Sequence, residues 1–97
     1  MRDKIPELLE REGKVFRIVE KVRDRERLKL LLLEKLREEV EEFIRNPSPE
    51  EAADVLEVIE TILRLDGFSL DDVLKQKEVK RIERGGFNEG IIIELGE

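Results

Sequence analysis

The chain has 97 residues, with 19 Lys and Arg against 25 Asp and Glu, a formal net charge of −6, no cysteine and no histidine. That length predicts one domain over 1–97, and the missing side chains exclude disulfides, zinc–thiolate sites and any catalytic arrangement built on imidazole. The negative balance argues against a duplex nucleic-acid partner, which needs a basic face, and no apolar run is long enough for a membrane span.

In chain order, residues 1–12 carry Ile5, Leu8 and Leu9 and predict a short helix beginning near Pro6, with Asp3 in its cap region and Gly13 as its stop. Lys14-Val15-Phe16-Arg17-Ile18-Val19 is β-branched and aromatic and reads as extended. A charged stretch, 20–27, leads into a long helix from about Glu26 to Arg45, ended by Asn46-Pro47. Ser48-Pro49-Glu50-Glu51 is a helix start, with an N-cap, a proline in the first turn and a glutamate at the third position. This second helix ends near Asp66-Gly67, and a third runs from Ser69 to about Glu83 before Arg84-Gly85-Gly86 breaks it. Ile91-Ile92-Ile93-Glu94-Leu95 reads as extended. The prediction is therefore an all-α fold, a helical hairpin plus a third helix, with a two-stranded β-ribbon between 14–19 and 91–95 as an optional addition. A ribbon alone is marginal, so it would have to pack on helices or on another subunit.

The connection at 46–48 is short, which makes the two long helices antiparallel neighbours. Four acids then stand out. At about 100° per residue, Glu39 and Glu42 fall inside the apolar arc that Leu28, Leu31, Leu32, Leu36 and Phe43 make on the first long helix. Glu51 lies inside the apolar half of the second helix, near Val58 and Ile62, and Asp54 lies at its border. Glu41 takes the opposite flank, Glu50, Glu57 and Glu60 share the polar half, and Glu38 sits just beyond the arc. Residues three apart share a helix face. Two such pairs on facing helices make an oxygen-only cage suited to Mg²⁺ or Mn²⁺. Ionised carboxylates on apolar faces are costly unless paired or metal-bound, and the two arcs hold no Lys or Arg among the four. The bland alternatives are a capping box between Ser48 and Glu51 and ion pairs from Glu39 and Glu42 to Lys35 or Arg45.

The segments LREEVEEF (36–43) and EEAADVLEVI (50–59) resemble the paired ExxE and ExxD motifs of the all-α nucleoside triphosphate pyrophosphohydrolases, the MazG-like superfamily that includes helical dUTPases and phosphoribosyl-ATP pyrophosphohydrolase. The opening RDKIPELLEREGK and the closing KRIERGGF (80–87) resemble a small house-cleaning subgroup of it, so the resemblance covers nearly the whole chain. It maps ExxE onto Glu39 and Glu42, and ExxD onto Glu51 and Asp54. The spacing between the two motifs is shorter than in most of the superfamily, which leaves less room to shape a base pocket. The resemblance implies Mg²⁺-dependent cleavage between the α- and β-phosphates of a nucleoside triphosphate, with Mn²⁺ as an alternative ion and a homodimer or larger homo-oligomer as the working form. Glu39 and Glu38 are the candidate catalytic carboxylates, Glu38 to position or deprotonate water. Lys80 and Arg84, with Arg2 and Lys4 as a second set, are the candidates for the outer phosphates. Ordinary surface ion pairing is the alternative for Lys80 and Arg84, and a plain helix terminator is the alternative for Gly85-Gly86.

The low Cys, Met and Gln content beside abundant Glu, Lys and Arg resembles thermophile usage. The opening MRDKIPELLE has no signal-peptide h-region, so the expected location is the cytoplasm. Phosphoribosyl-ATP hydrolysis is the rival within enzymes. A non-enzymatic helical interaction module, its acids solvated or capping, is the rival from another class.

Overall fold

The computed structural model describes residues 2–96. Four helices form there: α1 (Ile5–Arg11), α2 (Arg25–Arg45), α3 (Pro49–Leu65) and α4 (Leu70–Arg84). Pro6 sits in the first turn of α1, where a missing N–H costs nothing. Asp3 does not cap this helix; the N-cap is Lys4, with no side-chain hydrogen bond to the first turn. The helix closes in a paired turn. Gly13, at φ +71°, donates to the Glu10 carbonyl, and Lys14 donates to that of Leu9. Glycine is favoured there because a Cβ is strained in the left-handed region.

α2 begins one residue earlier than the periodicity indicates, because Asp24 caps it, accepting from the Glu26 N–H at 3.3 Å. It ends at Arg45, before Asn46-Pro47. Ser48 then caps α3, accepting from the Glu51 N–H at 3.3 Å. The three-residue connection folds α3 back along α2, and these two helices pack against each other as the predicted hairpin. The open end is tied by Asp66. Its carboxylate accepts from Arg25 at 2.8 Å and Lys29 at 2.6 Å, while Arg25 also donates to the Leu65 carbonyl. The Lys29 hydrogen bond, above all, holds the Asp66 carboxyl below the usual aspartate range.

α4 carries a complete capping box: Ser69 accepts from the Asp72 N–H at 3.3 Å, and the Asp72 carboxylate accepts from the Ser69 N–H at 2.9 Å. This helix has no extensive packing against the other three. Its stability therefore depends on its own ends more than on burial. Ser69→Ala, at a cost of about 1 kcal/mol, is expected to lower the amide-exchange protection of α4 about fivefold and to leave the α2–α3 hairpin unaffected. Exchange measured residue by residue checks this.

No strand forms among the described residues, so the ribbon between 14–19 and 91–95 is absent and both segments are irregular. Val15 and Ile92 stand fully exposed, at 102% and 96%. The physical reason is the lack of cover: within one chain neither segment finds a sheet to extend or a helix face on which to bury a ribbon. The same lack runs through the whole molecule. No described side chain is fully buried. The radius of gyration is 18.1 Å, against about 12.5 Å for a compact domain of this length. No described helix is long and apolar enough to cross a membrane.

Candidate metal centre

The site sits where the end of α2 meets the start of α3. Glu39, Glu51 and Asp54 each offer one carboxylate oxygen, and these atoms lie within 4.8 Å of one another. All three residues are half-buried. α3 supplies two of them from adjacent turns of one face, and α2 supplies the third across the hairpin. The Ser48 cap fixes the register, because it sets where the first turn of α3 begins. The capping box that would have occupied Glu51 is only half formed: its N–H donates to Ser48, but no return bond from its carboxylate completes the motif. The Glu51 carboxylate is therefore available to face Glu39 and Asp54.

Crowding shows in its acidity. Lost hydration pushes the Glu51 carboxyl above the ordinary glutamate range, and the charges of Asp54, Glu42, Glu39 and Glu50 push it further. A carboxyl with a raised folded-state pKa weakens the fold while both states are ionised. The penalty disappears as pH falls through the raised value toward the unfolded one, near 4.3. In chelator at neutral pH, Glu51→Gln is accordingly expected to melt above the wild type, and the gap is expected to close as pH is lowered toward 4. Asp66 shifts the other way, so its contribution is held down to the ordinary aspartate pKa and lost only below it. The two windows are separate.

Glu42 does not join the group of three. Its side chain is 52% exposed and reaches Arg45 at 3.3 Å, although Glu51 still feels its charge. Glu38 is not one of the three; it is 69% exposed and lies 3.5 Å from Lys35, the lysine that also pairs with Glu39. The faces are not free of cations, contrary to the pattern in the sequence. Lys35 lies 3.1 Å from Glu39, and Arg2 reaches Asp54 at 2.5 Å. The alternative ion pairs Glu39–Lys35 and Glu42–Arg45 thus both form. Lys35 is held more strongly protonated than a free lysine, chiefly by its bond to Glu39.

Glu39 and Asp54, without Glu51, border an open cleft of about 670 Å³, within the range of small-molecule sites. Arg2, Lys35, Glu39 and Asp54 line one part of it, and Ile5, Leu32 and Val58 give it an apolar wall. Lys4 does not line the cleft, and neither do Lys80 and Arg84, which lie on the separate helix α4. Lys35 is the cleft residue that the sequence reading left as a mere ion-pair partner. The signal was its position one helical turn before Glu39.

No family model matches the chain, and neither does any curated protein or solved structure.

Proposed function

We propose that the chain is a divalent-cation-dependent nucleoside triphosphate pyrophosphohydrolase of the MazG-like kind, acting on non-standard nucleotides in a cytoplasmic house-cleaning role. The observation that carries this is the convergence of Glu39, Glu51 and Asp54 from two helices at the edge of a cleft that also holds Arg2 and Lys35. The donor set fits Mg²⁺ or Mn²⁺: it is all oxygen, carries three negative charges, and lacks the imidazole or thiolate that softer ions prefer. Bound there, the ion would neutralise phosphate charge and orient the attacking water. Glu39, Glu51 and Asp54 would hold it, with Glu42 one turn away as a further ligand after release from Arg45. Arg2 and Lys35 would meet the outer phosphates as charge-assisted donors. Ile5, Leu32 and Val58 offer apolar surface to the nucleoside. Lys80 and Arg84 would need α4 to approach the hairpin before they took part.

The same ion pairs favour a second reading. Lys35 and Arg2 already neutralise Glu39 and Asp54, as a helical interaction module with no metal would require. A pyrophosphate-release screen separates the two. It would present standard, deaminated, oxidised and methylated nucleoside triphosphates, and phosphoribosyl-ATP, with Mg²⁺ and with chelator. Release from at least one substrate in Mg²⁺ and none in chelator is expected. The absence of metal-dependent release from every substrate would support the module instead. Preference for phosphoribosyl-ATP would move the assignment to that rival enzyme.

A further inference from the structure

The cleft has two sides of different origin. α2 and α3 supply Leu32, Lys35, Asp54 and Val58, and the segment ahead of the hairpin supplies Arg2 and Ile5. The two sides are held unequally. α2 and α3 pack along each other, whereas α1 has no extensive packing against any other helix. Residues 12–24 form no helix or strand, so α1 is not built rigidly onto α2. Among the described residues, a single side-chain bond joins residues 2–11 to the hairpin: Arg2 donates to Asp54 at 2.5 Å.

Asp54 is also one of the three residues whose oxygens converge. The bond that fastens α1 therefore ends on a carboxylate of the candidate metal centre. Lys35, the other cation there, belongs to α2 and pairs with Glu39 on the same helix. Its side chain can turn away without moving any backbone. When Arg2 leaves Asp54, the segment that carries it loses its polar hold.

The Arg2–Asp54 pair is of a kind that exchanges. A guanidinium and a divalent cation at one carboxylate repel each other. The two side chains are 59% and 40% exposed, and ion pairs of that exposure are worth a factor of roughly two to five in an equilibrium. Ile5, half-buried on the cleft side of α1, supplies the apolar part of the hold.

We propose that α1 is a movable wall of the cleft, latched by Arg2 on Asp54 while the metal centre is empty and released when a divalent cation takes Asp54. Before release the guanidinium is occupied by Asp54. After it, Arg2 is free for a phosphate, so the cation precedes the anionic ligand. The proposal rests on the metal reading above and adds to it the motion of α1.

Such a coupling is reciprocal, so whatever loosens α1 tightens the cation. Two substitutions loosen α1 in chemically different ways. Arg2→Met removes the latch and its charge. Ile5→Ala removes apolar contact, keeps a good helix former in place and changes no charge. Both lie outside the α2–α3 hairpin. Mn²⁺ affinity, read without nucleotide from the loss of the free-ion signal in electron paramagnetic resonance, is expected to rise about threefold in Arg2→Met and in the same direction in Ile5→Ala. Spin labels at Glu7→Cys on α1 and Arg64→Cys on α3, both exposed positions in a chain without cysteine, are expected to show a narrow distance distribution in chelator that broadens in saturating Mg²⁺. Mn²⁺ bound equally or less tightly by Arg2→Met overturns the latch and leaves the metal centre standing. Tightening in Arg2→Met with wild-type affinity in Ile5→Ala, or a label distance that Mg²⁺ leaves narrow, means that Arg2 acts as a charge alone and overturns the coupled motion. Failure of all three proteins to bind Mn²⁺ overturns the metal reading and the latch together.

Discussion

Glu39→Gln, Glu51→Gln and Asp54→Asn are each expected to lower metal-dependent pyrophosphate release at least a hundredfold, measured at saturating Mg²⁺ on whichever triphosphate is turned over fastest. Groups that merely orient metal ligands already cost about 10–100-fold when removed, and these three are the groups whose oxygens converge. Glu42→Gln is expected to cost less, because Glu42 is exposed and turned to Arg45. Circular dichroism in chelator separates lost chemistry from lost fold, and Glu51→Gln sharpens that separation. It removes one charge from a repelling cluster, so the variant should be more stable without metal while being less active with it. A carboxylate that served only as a solvated surface charge would alter neither property.

Thermal unfolding gives the second large effect. A ligand that binds only the folded state adds about 2.7 kcal/mol at a hundred times its dissociation constant. For a domain of this size that raises the melting temperature by something on the order of 10–20 °C. Mn²⁺ is expected to do this for the wild type, excess chelator to reverse it, and Asp54→Asn to lose it. The ion must displace two resident cations, Arg2 from Asp54 and Lys35 from Glu39. Salt screens the attraction of these partly exposed carboxylates for the ion, so the shift is expected to be smaller at high Na⁺ than at low, and still present. An interaction module with internally paired acids would melt at the same temperature with and without Mn²⁺.

The helix ends were legible because each is written in local chemistry. Ser48, Pro49, Ser69, Gly13 and Gly67 act within a turn of their own position, and the structure uses all five at helix ends. Asp24 was missed as a cap because it lies in a charged run where one more acid carried no contrast. The optional ribbon does not form, for a different reason. Val15, Val19 and Ile91–Ile93 have the side chains of strands, but a strand needs a neighbour, and composition does not supply one. The candidate site was half legible. Periodicity identified the faces of Glu39, Glu51 and Asp54. It left the Glu42–Arg45 ion pair as an alternative without deciding for it, and it could not foresee that Arg2, 52 residues away in sequence, reaches Asp54. Helical phase fixes direction about an axis. It does not say which long side chain from elsewhere arrives there.

The most direct test of the central claim is phosphorus NMR of a nucleoside triphosphate incubated with the protein and Mg²⁺. Nucleoside monophosphate and pyrophosphate are expected as the first products, with no reaction in chelator. Nucleoside diphosphate with orthophosphate, or turnover that survives removal of the metal, would contradict it.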